Sequence, residues 1–335
     1  MKQAPKRLSM LLPDAGSAAE LSISGIALDS RKVVPGNVFV ACRGTRSDGH
    51  QFIDDAIARG AVAVVVDRQV ETRGVPVVTV ADSRRSLASM AAHFYDDPSQ
   101  EVKCIGVTGT NGKTSVAHYV GALLNGAGIA TGVGGTLGFS FGAMQCRGGL
   151  TTEDAVALQA KLAEMKRLGA RRAVLEVSSH ALDQHRAEGV AFDTAVFTNL
   201  TRDHLDYHVT MDAYGAAKAR LFQFASVEHA IVNLDDPFGK TLLDRVRPGA
   251  RVIRYGFAND ADVRISDGRQ VFSISRTPIE IVLARPPPPR CGVECSPGPS
   301  AAADWDLAHR HTAGAAVVVR TVRSQTASRR RSRPL

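Results

Sequence analysis

The chain has 335 residues, of which 44% are hydrophobic, and it carries five cysteines and a formal net charge of +8. This composition excludes a chain that is disordered throughout, and it excludes a small scaffold held together by disulfides. The longest apolar runs, such as residues 61–66 (AVAVVV), are far shorter than the roughly 18–20 residues that a membrane-spanning helix needs. The basic N-terminus has too short an apolar stretch for a signal peptide, so we expect a cytoplasmic protein without a membrane span.

The positive charge is concentrated near the C-terminus. Residues 276–335 contain ten arginines, no lysine and four acidic residues, so six of the eight net charges lie there. Pro-rich and Arg-rich tracts, such as RPPPPR (285–290) and RRRSR (329–333), bury too little apolar surface to order themselves. We therefore predict a disordered or loosely packed tail and expect no nucleic-acid partner.

Upstream of the tail, apolar strands alternate with helical segments. In a first block, 21–96, we predict strands at 23–28, 38–42, 62–66 and 75–80, with helices near 52–59 and 83–95. In a second block, from about 102, we predict strands at 103–107, 172–177, 194–198, 229–234 and 251–255, with helices at 113–124, 155–168 and 211–224. This alternation predicts an α/β fold with a mostly parallel sheet covered on both faces, whose ligands bind beyond the carboxyl ends of the strands.

The helices of the second block carry apolar side chains at helical spacing. Leu158, Leu162 and Met165 lie at i, i+4 and i+7 in one helix, and Val116, Val120 and Leu123 do so in another. We predict that these side chains face the sheet.

A glycine-rich loop follows the strand at 103–107. It comprises Gly109, Thr110, Asn111, Gly112, Lys113, Thr114 and Ser115. Glycines let backbone N–H groups turn towards an anion, and the N-terminus of the following helix adds partial positive charge. The strict spacing of a phosphate-binding loop fails by one position, because Val107 replaces the first glycine. The context still predicts phosphate binding, with Lys113 on the phosphates and the Thr114 hydroxyl available to Mg²⁺, rather than a simple connecting turn.

Other polar residues follow the neighbouring strands. Glu176 ends a buried strand, and a carboxylate there needs a metal or a structural ion pair. The segment 201–208 (TRDHLDYH) clusters acids and histidines, which suits either a site or a solvated loop. By itself Lys218, in the helix at 211–224, reads as a surface residue. The loops Asp29–Arg31 and Gly44–Gly49 suit a phosphate or sugar ligand and ordinary turns equally well.

Together these residues resemble the Mur ligases of peptidoglycan synthesis, in particular the branch that adds a diamino acid to UDP-N-acetylmuramoyl-L-Ala-D-Glu (UDP-MurNAc-L-Ala-D-Glu). The resemblance is carried, in family order, by LDSR (28–31), GTNGKTS (109–115), LTTEDAV (150–156), EVSSHALDQHR (176–186), FTNLTRDHLDYH (197–208) and AYGAAKARLF (213–222). It implies a UDP-MurNAc-binding domain at 1–97 and a central ATP-binding domain at 98–275, which would be incomplete, followed by the tail at 276–335. It also implies a monomer.

The resemblance implies an ATP-dependent amide ligation. ATP would phosphorylate the γ-carboxylate of D-Glu to an acyl phosphate, and the amine of meso-diaminopimelate or L-lysine would displace the phosphate. Residues 109–115 would cradle ATP, while Thr114 and Glu176 would hold one Mg²⁺. Lys218, carbamylated by CO₂, would hold a second Mg²⁺ with His204.

The resemblance also assigns substrate contacts. Uridine diphosphate would be bound by Leu28, Ser30, Thr45, Arg46 and Ser47. The muramoyl-dipeptide would be bound by Thr151, Thr152, Ser178, Gln184 and Arg186.

The sequence departs from the family pattern in two places. Leu150 stands where the family often has an asparagine before the threonine pair. We also find no DNPR-type loop of the third, Rossmann-like family domain, which closes on ATP and recognises the diamino acid. We therefore expect that 276–335 is an out-of-frame or otherwise aberrant tail that stands in place of that missing domain, and that the chain by itself forms little or no amide.

Two other functions are compatible with parts of the sequence. A ligase similar to folylpolyglutamate synthase would share the fold and the carboxylate chemistry, but the loops of the first block and EVSSHALDQHR (176–186) argue against it. A basic nucleic-acid-binding protein would rely on the tail. A chain without ligase activity that keeps the nucleotide and UDP-sugar sites is a further alternative.

Overall fold

The computed structural model describes residues 3–44, 47–72 and 74–264 in full, together with the backbone of three strands beyond residue 264. The chain divides into two compact units, Met1–Arg254 and Tyr255–Leu335. None of the described helices is long and apolar enough to cross a bilayer. The predicted domain boundaries at 97 and 275 are not tested by this division and stay predictions.

The N-terminal part of the first unit contains a small parallel sheet. Its elements in chain order are β1 (Lys6–Arg7), α1 (Leu8–Leu11), β2 (Ser22–Ile23), β3 (Gly25–Ala27), β4 (Asn37–Val40), α2 (Ile53–Ala58), β5 (Ala63–Val66), β6 (Val77–Thr79) and α3 (Ser83–Phe94). Strands β3 to β6 pair in parallel in chain order, whereas β1 and β2 form a separate antiparallel pair. The four predicted strands and both predicted helices of the first block are therefore present. The short β1–α1 segment was not predicted.

The central part is built on a larger sheet. Its elements are β7 (Lys103–Thr108), α4 (Lys113–Gly126), β8 (Thr131–Gly135), β9 (Gly138–Phe141), β10 (Met144–Cys146), α5 (Ala155–Arg167), β11 (Arg172–Glu176), α6 (Ser179–Asp183), β12 (Phe192–Phe197), α7 (Leu205–His208), α8 (Met211–Ala219), β13 (His229–Asn233), α9 (Pro237–Leu243) and β14 (Arg251–Gly256). The strand order is β10-β9-β8-β11-β7-β12-β13-β14. Strands β8, β11, β7, β12 and β13 are parallel, and β9 and β10 add an antiparallel edge.

Alternating side chains of the central strands supply two cores, as expected for a sheet covered on both faces. In β11, Ala173 and Leu175 pack on one face and Val174 on the other. The predicted stripe of α5 is confirmed, because Leu158, Leu162 and Met165 are buried against the first face. Each such side chain contributes roughly 1.5–3 kcal/mol to folding.

Helix α4 covers the second face of the sheet. Val116 and Val120 pack there as predicted, but Leu124 rather than Leu123 joins them. The reason is close helix–sheet contact at Gly121, where a Cβ would lie 2.5 Å from Val133. This contact turns the helix so that Ala117 and Gly121 point at the sheet.

The second unit contains short strands. The end of β14 pairs in parallel with β15 (Val263–Arg264), since Tyr255 lies opposite Val263. Three further strands, β16 (Gln270–Ile274), β17 (Thr277–Leu283) and β18 (Val317–Thr321), form an antiparallel sheet. Apart from β17 and β18, the predicted tail at 276–335 lies outside the described residues, so its predicted disorder and origin stay predictions.

Candidate active site

The glycine-rich loop lies at the carboxyl end of β7 and leads directly into α4. Gly112 has a φ of +82° and Gly109 a φ of +151°, and a Cβ on Gly109 would lie 1.8 Å from the Thr198 hydroxyl. The loop is held from the end of β12, because Thr198 Oγ1 donates to the Asn111 carbonyl at 2.7 Å and the Asn199 side chain accepts from Asn111 N at 2.9 Å. The backbone is therefore fixed before any anion binds.

Lys113 is the first residue of α4, and its side chain folds back over the loop. Its Nζ donates to the carbonyl oxygens of Gly109 and Thr110 at 2.9 and 2.8 Å. Burial lowers the pKa of Lys113, while the nearby carboxylates of Glu176 and Asp203 act in the opposite direction. The amine thus lies at the loop on the N-terminal end of a 14-residue helix, where negative phosphate oxygens are favoured.

Glu176 ends β11 and is only 2% exposed. Its Oε2 accepts from the Thr114 hydroxyl at 2.8 Å, and its Oε1 accepts from Thr136 N at 2.9 Å. The Thr136 hydroxyl also donates to Oε2, at 3.1 Å. These bonds compensate for the burial of the carboxylate and aim it at the start of α4.

The Glu176 carboxylate packs directly against the backbone of β8. A Cβ on Gly135 would lie 2.0 Å from Glu176 Oε1, so a side chain at this position would collide with the carboxylate. Strands β8 to β10 were not predicted, and therefore neither Gly135 nor Thr136 was assigned to the site. The GGT sequence (134–136), in which two strand glycines precede a threonine, is the signal that could have identified them.

Lys218 lies on α8 and is 1% exposed, which contradicts the surface position that it would have by itself. Its Nζ donates to the Gly109 carbonyl at 2.7 Å and lies 4.3 Å from the centre of the Tyr214 ring. Burial, together with the smaller effect of the positive charge of Lys113, lowers the pKa of Lys218 to about 7, while Asp203 acts in the opposite direction. A substantial fraction of this amine is therefore unprotonated near neutral pH.

His204 lies at the edge of an aromatic cluster next to Lys218. Its ring centre is 4.8 Å from that of His180 and 5.9 Å from that of Tyr214, and its side chain is 44% exposed. Behind it, the buried His208 forms a 2.9 Å hydrogen bond between Nε2 and Ser179 Oγ. Tyr214 thus contacts both His204 and Lys218, although sequence reasoning gave Tyr214 no role.

The residues predicted to bind the dipeptide form one polar network beside Glu176. The Thr152 hydroxyl donates to the Glu176 carbonyl at 2.9 Å and accepts from Ser178 N at 3.0 Å. Thr151 is linked to the same region through the Thr136 hydroxyl, at 3.1 Å. The network therefore continues directly from the phosphate loop and its carboxylate.

Arg186 and Gln184 extend this network away from the sheet. Arg186 donates to Gln184 Oε1 through Nε at 3.0 Å and to the Thr152 carbonyl through Nη1 at 3.1 Å. Gln184 Nε2 donates to the Tyr207 hydroxyl at 3.1 Å, and that hydroxyl donates to Asp183 at 2.8 Å. The Arg186 guanidinium is oriented before it meets a ligand.

A cavity of about 680 Å³ lies between the N-terminal strand-end loops and this network. Leu28, Ser30 and Ser47 line it from the N-terminal side, and Gln184 and Arg186 line it from the central side. Leu150, which replaces the expected asparagine, also lines it. Thr45 and Arg46 lie outside the described residues, so their predicted contacts stay predictions.

The oxygen pair of Thr114 and Glu176 fits a magnesium ion bound to phosphates, because Mg²⁺ prefers a few hard oxygen ligands together with water and phosphate. The second predicted magnesium site, at His204 and Lys218, has fewer oxygen ligands. Among the residues that the structure describes, no group of three or more His, Cys, Asp or Glu side chains is placed to hold a metal. Of the two residues assigned to that site, His204 is a metal ligand as it stands, whereas Lys218 carries an amine; its predicted carbamylation stays a prediction.

Comparison with known proteins agrees with this geometry. Residues 22–95 match the family model of the Mur ligase catalytic domain, and residues 107–283 match that of the Mur ligase middle domain. The UDP-N-acetylmuramoyl-L-alanyl-D-glutamate–2,6-diaminopimelate ligase of Ectopseudomonas mendocina is 45% identical over 259 residues, which are 76% of this chain and 53% of that protein. The protein of the same name from Pseudomonas aeruginosa is 46% identical over 243 residues, which are 71% and 49% of the two chains.

Solved structures give the same result at the level of the fold. A structure of a UDP-N-acetylmuramoyl-L-alanyl-D-glutamate–2,6-diaminopimelate ligase superposes with a TM-score of 0.71 at 32% identity, covering 78% of this chain and 55% of that one. The chain spans about half the length of the curated relatives that it matches. Because the middle-domain match alone takes in more than half of the residues, the chain belongs to the Mur ligase family.

Proposed function

We propose that the residues of the candidate active site form the ATP site and the UDP-sugar site of an ATP-dependent amide ligase of peptidoglycan synthesis. The reaction would join a diamino acid to the γ-carboxylate of UDP-MurNAc-L-Ala-D-Glu. The observation that carries the proposal is the position of Glu176. Its carboxylate bonds to the start of the phosphate loop helix at Thr114, and its backbone carbonyl bonds to Thr152 of the predicted peptide network.

The loop and Lys113 would bind the phosphates of ATP. The first turn of a helix has backbone N–H groups without intrahelical partners, which would be available to the phosphates at the start of α4. The Lys113 amine needs only to exchange two neutral carbonyl acceptors for phosphate oxygens. Thr114 and Glu176 would hold Mg²⁺, which would neutralise phosphate charge. Thr136 would keep the Glu176 carboxylate in place.

The peptide network would position the acceptor carboxylate beside the γ-phosphate. Arg186 would hold a substrate carboxylate, since its guanidinium is already oriented by Gln184 and Thr152. Transfer of the γ-phosphoryl group to the D-Glu carboxylate oxygen would give an acyl phosphate and ADP. Attack by the neutral amine on the carbonyl carbon would then form the amide, release phosphate and give up one proton.

Lys218 would act as a carbamate. A buried amine whose pKa is about 7 is nucleophilic towards CO₂ near neutral pH, whereas an ordinary lysine is protonated. The carbamate would convert a cation next to the loop into an oxygen ligand facing His204 across Tyr214. This modification would supply the ligand that the second magnesium site requires.

The incoming amine is proposed to be meso-diaminopimelate, because the relatives that are about 45% identical carry the name of 2,6-diaminopimelate ligases. L-Lysine is the alternative amine. ATP and nucleotide sugars are cytoplasmic metabolites, so the proposal places the chain in the cytoplasm. We propose that the chain acts as a monomer.

Calorimetry tests the two sites separately. We expect the chain to bind UDP-MurNAc-L-Ala-D-Glu, and to bind ATP in the presence of Mg²⁺. Lys113→Met should weaken ATP binding about 100-fold, which corresponds to a charge-assisted hydrogen bond of about 3 kcal/mol, and should leave the UDP-sugar affinity unchanged. Lys103→Met, at the exposed start of β7, is the matched control and should change neither affinity.

An assay of ADP and phosphate release with meso-diaminopimelate or L-lysine then reports whether this chain completes the ligation and which amine it prefers. Folded protein that fails to bind UDP-MurNAc-L-Ala-D-Glu, or from which a folate displaces it, would contradict the proposal. The second result would favour an enzyme similar to folylpolyglutamate synthase.

A further inference from the structure

Arg84 lies between the two groups of predicted substrate-binding residues. It stands in the first turn of α3, whose N-terminus is capped by the Asp82 side chain; this carboxylate accepts from Arg84 N at 2.9 Å and from Arg85 N at 3.0 Å. The cap fixes the direction in which the Arg84 side chain leaves the helix. The Arg84 side chain lines the 680 Å³ cavity.

We call the predicted UDP-binding residues the nucleotide half-site and the predicted dipeptide-binding residues the peptide half-site. One side of the Arg84 guanidinium holds the loop of the nucleotide half-site that carries Ser47. Its Nη2 and Nε both donate to the Arg43 carbonyl, at 2.5 and 3.1 Å. Arg43 is the base of the loop that carries Ser47, because Arg43 pairs with Asp48 across it and Gly44 N donates to the Ser47 carbonyl at 2.8 Å. The position of this base sets the position of Ser47.

The far side of the same loop is anchored by a buried histidine. Asp48 accepts from His50 N at 3.0 Å, and its carboxylate lies 2.6 Å from His50 Nδ1. The His50 ring is fully enclosed, with Nε2 3.3 Å from Asp67. The loop is therefore fixed at both ends, by His50 in the short 3₁₀ helix Gly49–Phe52 and by Arg84 from α3.

The other side of the Arg84 guanidinium holds the peptide half-site. Its Nη1 donates to the Gln184 carbonyl at 3.4 Å, and the Gln184 side chain orients Arg186. In the described part of the chain, the side-chain hydrogen bonds of Arg84 and Arg186 all end on neutral oxygens. Burial lowers the pKa of Arg186, and the charge of Arg84 lowers it further.

We propose that Arg84 is a positioning residue that locks the nucleotide half-site to the peptide half-site. The Arg84 guanidinium donates to the backbone carbonyls of both Arg43 and Gln184. The loop that would bind uridine diphosphate and Arg186, which would bind the peptide, are therefore held at a fixed separation. A ligand that spans both half-sites gains affinity from this fixed separation, because the protein does not have to be ordered on binding. A ligand that occupies one half-site gains much less. The inference rests on the proposed function.

Calorimetric titration with UDP and with UDP-MurNAc-L-Ala-D-Glu tests this role. The quantity to compare is the ratio of the two affinities, which measures what the second half-site adds to the first. Arg84→Met should reduce that ratio at least tenfold. Arg85→Met is the matched control, since Arg85 points instead to Glu188, 3.4 Å away on the surface, and should leave the ratio unchanged.

The outcomes separate the two proposals. If the unaltered chain does not bind UDP-MurNAc-L-Ala-D-Glu, the proposed function fails. If it binds and Arg84→Met leaves the ratio unchanged, whether or not both ligands bind more weakly, Arg84 does not couple the half-sites and only this inference fails. If Arg84→Met does not fold, Arg84→Lys is the second variant, because it keeps the charge but lacks the several N–H donors of the guanidinium. It should also lower the ratio, and an unchanged ratio again overturns the inference.

Discussion

Lys113 and Lys218 donate to the same oxygen, the carbonyl of Gly109, at 2.9 and 2.7 Å. One amine comes from the start of α4 and the other from α8. Two cations that share one acceptor repel each other, and the charge of Lys113 accordingly contributes to the lowered pKa of Lys218. The same carbonyl thus couples the residue predicted to bind phosphate to the residue predicted to be carbamylated.

Lys113→Met should raise the pKa of Lys218 from about 7 towards its ordinary value, because one of the two causes of the lowering is removed while burial stays. NMR titration of ¹³Cε-labelled lysines measures this pKa, with the Lys218 signal assigned by its loss in Lys218→Met. Lys103→Met changes an exposed lysine at the opposite end of β7 and should leave the titration unmoved. An identical Lys218 pKa in Lys113→Met and in the unaltered chain would show that the two amines are not coupled.

The lowered pKa of Lys218 also makes stability depend on pH. Between pH 7 and about 10 the folded chain holds Lys218 neutral, whereas the unfolded chain holds it protonated, with an ordinary pKa of 10.5. Because the unfolded state binds more protons there, the free energy of unfolding rises with pH. Relative to Lys218→Met, the unaltered chain should gain up to about 1.4 kcal/mol per pH unit above pH 7 and nothing below it.

Urea unfolding of both proteins at pH 7, 8 and 9 in CO₂-free buffer checks this expectation. Lys113 and Asp203 are the charged groups that act on Lys218, and they are present in both proteins. Parallel stability profiles would mean that Lys218 titrates normally in the folded chain.

Strand periodicity and strand-end chemistry were sufficient to predict much of the fold. The strands predicted at 103–107 and 172–177 are present as β7 and β11. The loop after β7 lies beside Glu176, the last residue of β11. This juxtaposition follows from parallel topology, because the carboxyl ends of adjacent strands meet at one edge of the sheet. Lys218 could not be placed in this way. Its amine is buried against the Gly109 carbonyl, which lies 109 residues earlier in the chain, and no local pattern encodes such a contact.

The edge formed by β8 to β10 was missed for a different reason. β8 reads TGVGG, and its glycines remove the alternation of apolar and polar side chains by which a strand is identified. These glycines are needed because other side chains occupy the space that a Cβ would fill, namely Phe139 at Gly134 and Glu176 at Gly135. The glycines that make β8 hard to recognise in the sequence are thus the residues that leave room for Phe139 and Glu176.

Gly135→Ala should displace the Glu176 carboxylate, since the new methyl group would lie 2.0 Å from Oε1. The carboxylate is held by hydrogen bonds from Thr136 and Thr114, which its displacement would weaken or break. We expect Mg²⁺-dependent ATP binding to weaken about 10- to 100-fold. Calorimetry with and without Mg²⁺ measures the loss.

Gly126→Ala is the matched control for this change, because Gly126 is the last residue of α4 and a Cβ there meets nothing within 4 Å. Alanine should be neutral or slightly stabilising at this position. If Gly135→Ala binds Mg²⁺–ATP as Gly126→Ala does, Glu176 does not hold the ion.

Tyr207→Phe removes the hydroxyl that connects Gln184 to Asp183, at 3.1 and 2.8 Å. Gln184 then loses one of the bonds that hold its amide in place, and the Gln184 amide oxygen is what orients Arg186. We expect the affinity for UDP-MurNAc-L-Ala-D-Glu to fall about fivefold, which corresponds to about 1 kcal/mol for one neutral hydrogen bond. Affinities for ATP and for UDP should be unchanged, because neither ligand contacts Arg186 in the proposed arrangement.

Tyr119→Phe, which alters an exposed tyrosine on α4, is the control and should change none of the three affinities. An equal loss for UDP and UDP-MurNAc-L-Ala-D-Glu in Tyr207→Phe would indicate a general loosening of the cavity and would contradict a role specific to the peptide half-site.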